Sequence, residues 1–238
     1  MTGRWSGETA AAKVTDRDAT GPWVIVCEHA SNHVPDEFST LGLDPTDLQR
    51  HIAWDPGAAP VARMLGRALG AAVVESTISR LVADANRPLD APDLIWELSE
   101  TTTIPRNVGL SPDERAHRVD LAWRPFHETL DNVIAERLAA GRETRIATIH
   151  SFTPVWKGTP RPWHVGIIHD EDERISAPLL AGLRGEAGII VGDNEPYAPK
   201  DRVYYTVERH ARARGLPGVM IEIRNDMIAD LAGQADWA

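Results

Sequence analysis

An α/β domain with a mainly parallel sheet is the fold class this sequence predicts, and three observations predict it. Apolar, β-branched runs recur along the chain as "WVIVCEH", "AAVVEST", "SRLVADANR", "RIATIHS", "HVGIIHD", "GIIVGDN" and "GVMIEIRND". Near-continuous runs of this kind suit strands buried on both faces of a sheet. Helix-patterned stretches fall between them, and that alternation lays helices over a parallel sheet. No repeat, low-complexity block or convincing linker divides the 238 residues, so residues 21–238 read as one domain.

Residues 1–20, "MTGRWSGETAAAKVTDRDAT", precede the first run and read as a flexible or surface-lying segment. They lack the apolar core of a signal peptide, and no later stretch is long enough to span a bilayer. A soluble, cytoplasmic protein is the expectation. Between the first two runs, Val61, Met64, Leu65, Ala68 and Leu69 share one helical face from Pro56 to Gly70. A longer helix is announced by Ser111-Pro112-Asp113-Glu114, a capping-box pattern with proline at the first helical position. Its apolar positions run from Val119 through Phe126 and Leu130 to Leu138, and Gly141 can stop it. Further helices are expected around 176–184 and 203–214. The proline-rich stretches 90–110, 153–163 and 193–202 resist assignment and read as long loops, which often serve as lids or binding loops.

Charge narrows the partners. The chain carries 25 basic and 35 acidic residues, a net of −10, which argues against a general nucleic-acid binder. An anionic substrate would then need locally placed arginines. The single cysteine, Cys27, excludes an intramolecular disulfide and a cysteine-rich metal site, and it suits a reducing compartment. Lying inside an apolar run, it reads as core rather than as a nucleophile.

The ends of the runs carry chemistry. "VIVCEHA" ends in His29, "RIATIHS" delivers His150, "VMIEIRND" carries Glu222, Arg224 and Asp226, and "LVADANRP" carries Asp84, Asn86 and Arg87. Ligands of open α/β sheets bind outside the carboxyl ends of the strands, so these groups can share one crevice. Side chains alternate along a strand, so Glu28 and His29 should face opposite sides unless the chain turns between them. His29 is the site residue on that reading, and His33, at a loop entry, is a surface group. Glu222, flanked by Ile221 and Ile223, must be paired or functional if buried. Asp55 in "HIAWDPGAAP" has two readings, a helix N-cap or a metal-ligating carboxylate. Two histidines and a carboxylate form an open zinc site suited to hydrolysis. No H-E-x-x-H, G-x-S-x-G, P-loop or G-x-G-x-x-G motif offers another chemistry.

Taken together, "VIVCEHASNHVP", "HIAWDPGA", "SRLVADANRPLD", "IHSFTP" and "VMIEIRND" resemble the N-formylglutamate amidohydrolase family, from about Val24 to about Asp226. The resemblance implies a zinc-carboxypeptidase-like fold, a mixed, mostly parallel sheet flanked by helices on both faces, with the metal at the strand ends. It implies zinc, or another divalent metal, held by His29, His150 and Asp55. Asn32 stands where the carboxypeptidase pattern has a glutamate ligand, which is why Asp55 is taken as third ligand, with Glu28 in reserve. Glu222 is similar to the carboxylate that activates water, and Arg80 to the arginine that polarises the scissile carbonyl. Asn86 and Arg87 resemble a pair that grips a substrate carboxylate, with Arg224 and Tyr205 as further pocket residues. The activity implied is hydrolysis of N-formyl-L-glutamate to formate and glutamate, a small-molecule N-acyl amino acid carrying carboxylate. Hydrolysis of another N-acyl amino acid, a non-catalytic binding protein and a phosphorolytic enzyme are the alternatives.

Overall fold

The computed structural model describes residues 11–238. In chain order its elements are β1 (Ala12–Thr15), β2 (Trp23–Cys27), α1 (Ala58–Leu69), β3 (Ala72–Ser76) and a small hairpin, β4 (Leu98–Ser99) with β5 (Thr102–Thr103). Helices α2 (Pro112–Arg118) and α3 (Arg124–Ala139) lead into β6 (Arg145–Phe152) and a second hairpin, β7 (Val155–Trp156) with β8 (Thr159–Pro160). The chain ends with β9 (Val165–Ile168), α4 (Glu173–Gly185), β10 (Val191–Asp193), α5 (Tyr205–His210), β11 (Gly218–Arg224) and α6 (Leu231–Asp236).

One seven-stranded sheet runs β1-β3-β2-β6-β11-β9-β10. The β2–β3, β2–β6, β6–β11 and β9–β10 pairs are parallel, whereas β1 and β9 join antiparallel to β3 and β11. The fold is thus α/β with a mixed, mostly parallel sheet. Alternation sorts its side chains onto two cores. Ile25, Cys27, Val73, Ala147 and Ile149 meet α1 and α4 on one face. Val24, Val26, Val74, Ile146 and Met220 meet Phe126, Leu130, Val133 and Ile134 of α3 on the other. Helices therefore cover both faces, which is why the central strands read as unbroken apolar runs. Cys27 is fully buried in the first core, and burial pushes its thiol well up, away from thiolate chemistry.

Several local expectations are altered. Of the segment 1–20, residues 1–10 lie outside the described residues. Its later part forms the edge strand: β1 pairs with β3, and Ala11 and Ala12 are buried while Lys13, Asp16, Asp18 and Thr20 lie exposed. "SRLVADANR" is not a strand. Turn bonds from Val82 to Ser79 O, Asp84 to Leu94 O and Arg87 to Asp84 O take the amides that a ladder would need. The capping box at Ser111 and Glu114 forms. The long helix it opens is interrupted by a π-helical turn over Val119–Trp123, next to Pro125, which has no amide to donate to the preceding turn. That turn aims the Trp123 indole at the Arg87 carbonyl, 2.9 Å away.

Candidate functional site

The carboxyl ends of β2, β6 and β11 are neighbours, and they open into a cavity of about 490 Å³. His150 and Glu222 are direct partners in the parallel β6–β11 ladder, so their side chains leave the sheet on the same face. β2 ends at Cys27, and the chain turns at 28–29. That turn defeats the alternation expected of Glu28 and His29. Glu28 Oε2 comes to 3.1 Å from His150 Nε2, while the His29 ring packs edge-on to that of His150, centroids 4.9 Å apart.

Asp55 reaches the same point from the loop before α1. The N-cap of that helix is Gly57, with no side-chain cap bond, so Asp55 is free of the capping role. Its backbone N–H donates to the His29 carbonyl at 2.9 Å, which ties the two loops together. Gly57 is required here: its φ is +83°, and a Cβ would lie 2.4 Å from the Ile228 carbonyl oxygen. Asp55 Oδ2 then lies 3.2 Å from His29 Nδ1 and 2.9 Å from His150 Nδ1.

The protons on these rings can be placed. His29 Nε2 is 2.7 Å from Asp84 Oδ1, and an ionised carboxylate only accepts, so Nε2 carries the hydrogen. Asp55 faces Nδ1 on the other side of the ring, where a bound cation would take the place of a second ring hydrogen. His150 is flanked likewise, with Glu28 Oε2 at Nε2 and Asp55 at Nδ1, although the Glu28 contact lacks hydrogen-bond geometry. Two ring nitrogens and a carboxylate oxygen thus converge on one buried spot. Asp55 Oδ2 lies 2.9 and 3.2 Å from the two nitrogens, and the three atoms lie within 4.8 Å of one another, close enough to share one cation. Glu28, Asp55 and Asp84 are all buried, and among the described residues Arg80 alone of the arginines pairs with them, with Asp55 Oδ1 at 3.3 Å and Asp84 Oδ2 at 3.2 Å. This donor set, orienting carboxylates and excess negative charge fit a divalent cation held by His29, Asp55 and His150.

The electrostatics agree. Burial pushes the Asp55 and Asp84 carboxyls up, but the adjacent His29, with His150 beside Asp55 and Arg80 beside Asp84, holds both well below the usual range. Burial alone would lower His150, yet Glu28 and Asp55 lift it well above an ordinary imidazole. Glu222 moves the other way. Burial raises its carboxyl to about 8, against the pull of His150, Arg80 and Arg161 and with a push from Asp55. Its Oε2 is buried with no hydrogen-bond partner among the described residues.

Of the remaining expected residues, Asn86 and Arg87 line the cavity from the loop after β3. Asn86 donates to the Val203 carbonyl and accepts from Thr206 N at 3.1 Å, which binds that loop to α5. Arg87 pairs with Asp93 at 3.0 Å and lies over the Trp96 ring. Arg224 and Tyr205 do not line the cavity. Arg224 is drawn to Asp226 at 2.8 Å and to the carbonyls of 161–163, while Tyr205 packs on Trp123 and His127. Asn32 donates to the Leu48 carbonyl at 2.8 Å, and His33 is exposed. Several cavity residues carried no role in the sequence reading, among them His51, Arg161 and Tyr197. Asp84 stood among the groups named at the ends of the runs, without its part as the partner of His29, and His51 stands inside the motif quoted for Asp55. His51 lies 3.4 Å from Asp55 Oδ1, and burial lowers its imidazole to about 4. Arg161 and Tyr197 come from two proline-rich stretches whose periodicity is silent.

Among the described residues no helix is long and apolar enough to cross a membrane. The profile of the N-formylglutamate amidohydrolase family matches residues 21–229. A crystal structure of a gene product from Agrobacterium tumefaciens superposes with a TM-score of 0.93 at 46% identity, covering 95% of this chain and 89% of that one. The crystal structure of N-formylglutamate amidohydrolase from Ralstonia eutropha superposes with a TM-score of 0.67 at 20% identity, covering 96% of this chain and 93% of that one, a likeness of fold. No curated protein matches the chain.

Proposed function

The chain belongs to the N-formylglutamate amidohydrolase family, and we propose that residues 21–238 act as one metal-dependent domain that hydrolyses N-formyl-L-glutamate to formate and L-glutamate. The observation that carries this reading is the convergence of His29, Asp55 and His150 in one cavity with a buried Glu222 whose Oε2 has no partner among the described residues. A divalent cation such as zinc, held by those three residues, supplies Lewis-acid polarisation of the amide carbonyl and acidifies water.

The protein's own groups do the rest. Asp84 holds the His29 imidazole by Nε2 and Glu28 flanks Nε2 of His150, which turns both Nδ1 atoms inward, where they would ligate the cation. Glu222 takes a proton from the attacking water and returns it to the amino nitrogen as the carbon–nitrogen bond breaks. A carboxyl whose affinity for protons sits near working pH suits both halves of that exchange. Arg80, fixed by Asp55 and Asp84, sets a permanent cation beside the carbonyl oxygen as it gains negative charge. Arg87 and Asn86 bind a carboxylate from the cavity wall, with Arg87 as the charged member. Arg224 and Tyr205 take no part in this scheme.

The test is elemental analysis of purified protein combined with formate release from N-formyl-L-glutamate. About one divalent ion per chain and formate in step with glutamate are expected. Glu222→Gln should keep the metal and lose at least about 100-fold in kcat. Metal-free protein that still releases formate, or undiminished turnover by Glu222→Gln, refutes the scheme. Release of a different acyl group with the same metal keeps the chemistry and moves the substrate elsewhere among N-acyl amino acids.

A further inference from the structure

Three arginines line the cavity, and their charges are not equally available. Arg80 already has counter-ions in Asp55 and Asp84, and Arg87 has one in Asp93 through its Nε. Arg161, only 8% exposed, has no carboxylate within ion-pair distance among the described residues. Burying a guanidinium without a counter-ion is costly, so such a group calls for an explanation. Its local support is aromatic. The guanidinium carbon lies 4.9 Å from the Tyr197 ring centroid, 5.0 Å from Trp156 and 5.8 Å from Phe152. These ring faces offset part of the charge and restrict the side chain, but they accept no strong hydrogen bonds.

Position and polarity are fixed as well. Arg161 leaves the β7–β8 hairpin that follows the His150 strand, and its amide donates to the Pro154 carbonyl at 2.8 Å. Tyr197 stands on a loop seated against bare backbone. A Cβ on Gly166 or Gly192 would lie 2.1 or 2.3 Å from the Glu195 carbonyl oxygen, so only glycine lets the loop sit that low. Arg161 Nη1 donates to the Tyr197 hydroxyl oxygen at 3.1 Å. The phenol keeps its own hydrogen, since burial pushes its ionisation up to about 12. Its O–H therefore remains a donor alongside the guanidinium.

We infer that Arg161 and Tyr197 form the subsite for the side-chain carboxylate of the substrate, so that this cavity selects N-acylated acidic amino acids over neutral ones. The inference rests on the hydrolytic reading above and deepens it. A side-chain carboxylate supplies the counter-ion that Arg161 lacks, through charge-assisted hydrogen bonds from both residues. A neutral amide of the same shape leaves the buried charge unpaired, which is the strongest way a binding site rejects an analogue.

The test compares N-formyl-L-glutamate with N-formyl-L-glutamine, which share the scissile bond and α-carboxylate and differ in the distal group. The unaltered metal-loaded protein should prefer the first by about 100-fold or more in kcat/KM. Arg161→Gln should erase most of that preference through KM, leaving turnover of the glutamine substrate within a few-fold. Tyr197→Phe should cost about 10-fold on the glutamate substrate alone. Equal turnover of the two substrates by the unaltered protein overturns the inference without needing any variant. So does an equal loss on both in Arg161→Gln, which would place the arginine at the α-carboxylate or in the scaffold. Turnover of neither substrate fails the parent reading, and the inference with it.

Discussion

Glu28 Oε2 and His150 Nε2 sit 3.1 Å apart with both side chains fully buried. Burial works to raise the Glu28 carboxyl, but the charge and hydrogen of His150 keep it lowered and ionised. The carboxylate therefore anchors the far nitrogen of an imidazole whose near nitrogen faces Asp55. Glu28→Gln keeps the shape and removes the charge. Zinc affinity measured by calorimetry on metal-stripped protein should fall about 10- to 100-fold with the thermal transition little changed. Unchanged affinity would show that Glu28 does not tune this ring.

Metal removal should be visible in stability as well as in turnover. A ligand that binds only the folded state adds about 2.7 kcal/mol of stability at a hundred times its dissociation constant. Chelation should lower the melting temperature by several degrees, and zinc should restore it. In His29→Ala the zinc-dependent increment should vanish. If that variant responds to zinc as fully as the unaltered protein, the cation binds elsewhere.

Gly57→Ala combines a left-handed backbone with a 2.4 Å approach to the Ile228 carbonyl oxygen. Strain of about 1–2 kcal/mol from the backbone and a comparable overpacking cost should sum to about 2–4 kcal/mol of lost stability. Gly70, at φ +57° with nothing within 4 Å of the point a Cβ would occupy, isolates the backbone part. Its alanine variant should lose only about 1 kcal/mol in urea titration. Equal losses at the two positions would remove the Ile228 contact from the account.

Asp131 of α3 lies 3.0 Å from His210 Nδ1 and 2.5 Å from Arg214 Nη2. Burial pushes its carboxyl up, but His210 and Arg214 outweigh it and hold the group well below the ordinary range. A carboxyl lowered on folding stabilises above its unfolded value near 3.9 and loses that effect as pH falls towards its folded value. Asp131→Asn should therefore cost about 1 kcal/mol at pH 7 and 5, a modest figure because the site is partly solvated. By pH 3 the gap should narrow. A gap that widens on acidification would reverse the assigned sign.

Much of the architecture was legible because burial on both faces leaves its mark on composition. Val24–Cys27 and Ile146–Ile149 could hardly be anything but interior strands. The same criterion misread "SRLVADANR", where Ser79 and Asp84 capture nearby amides and bend an apolar run into turns. Hydropathy does not register such local bonds. The antiparallel direction of β9 against β11 was equally hidden, since strand direction leaves no periodic trace. At the site, His29, His150, Asp55 and Glu222 stood out as polar groups at or near the ends of apolar runs. Tyr205 drew attention inside "VYYTVERHA", whereas Tyr197 lies in a proline-rich stretch with no period to single it out. Tyr197 reaches the cavity through the seating of Glu195 on Gly166 and Gly192, a contact between segments far apart in sequence.

The pairing of His150 with Glu222 across the β6–β11 ladder has an evolutionary consequence. Their separation is inherited from strand spacing of about 4.8 Å and so is insulated from insertions and deletions. The surrounding hairpins and proline-rich connections carry no such constraint. Divergence among descendants of this scaffold should accumulate in those connections, changing which acid is cleaved while bond scission itself passes down unaltered.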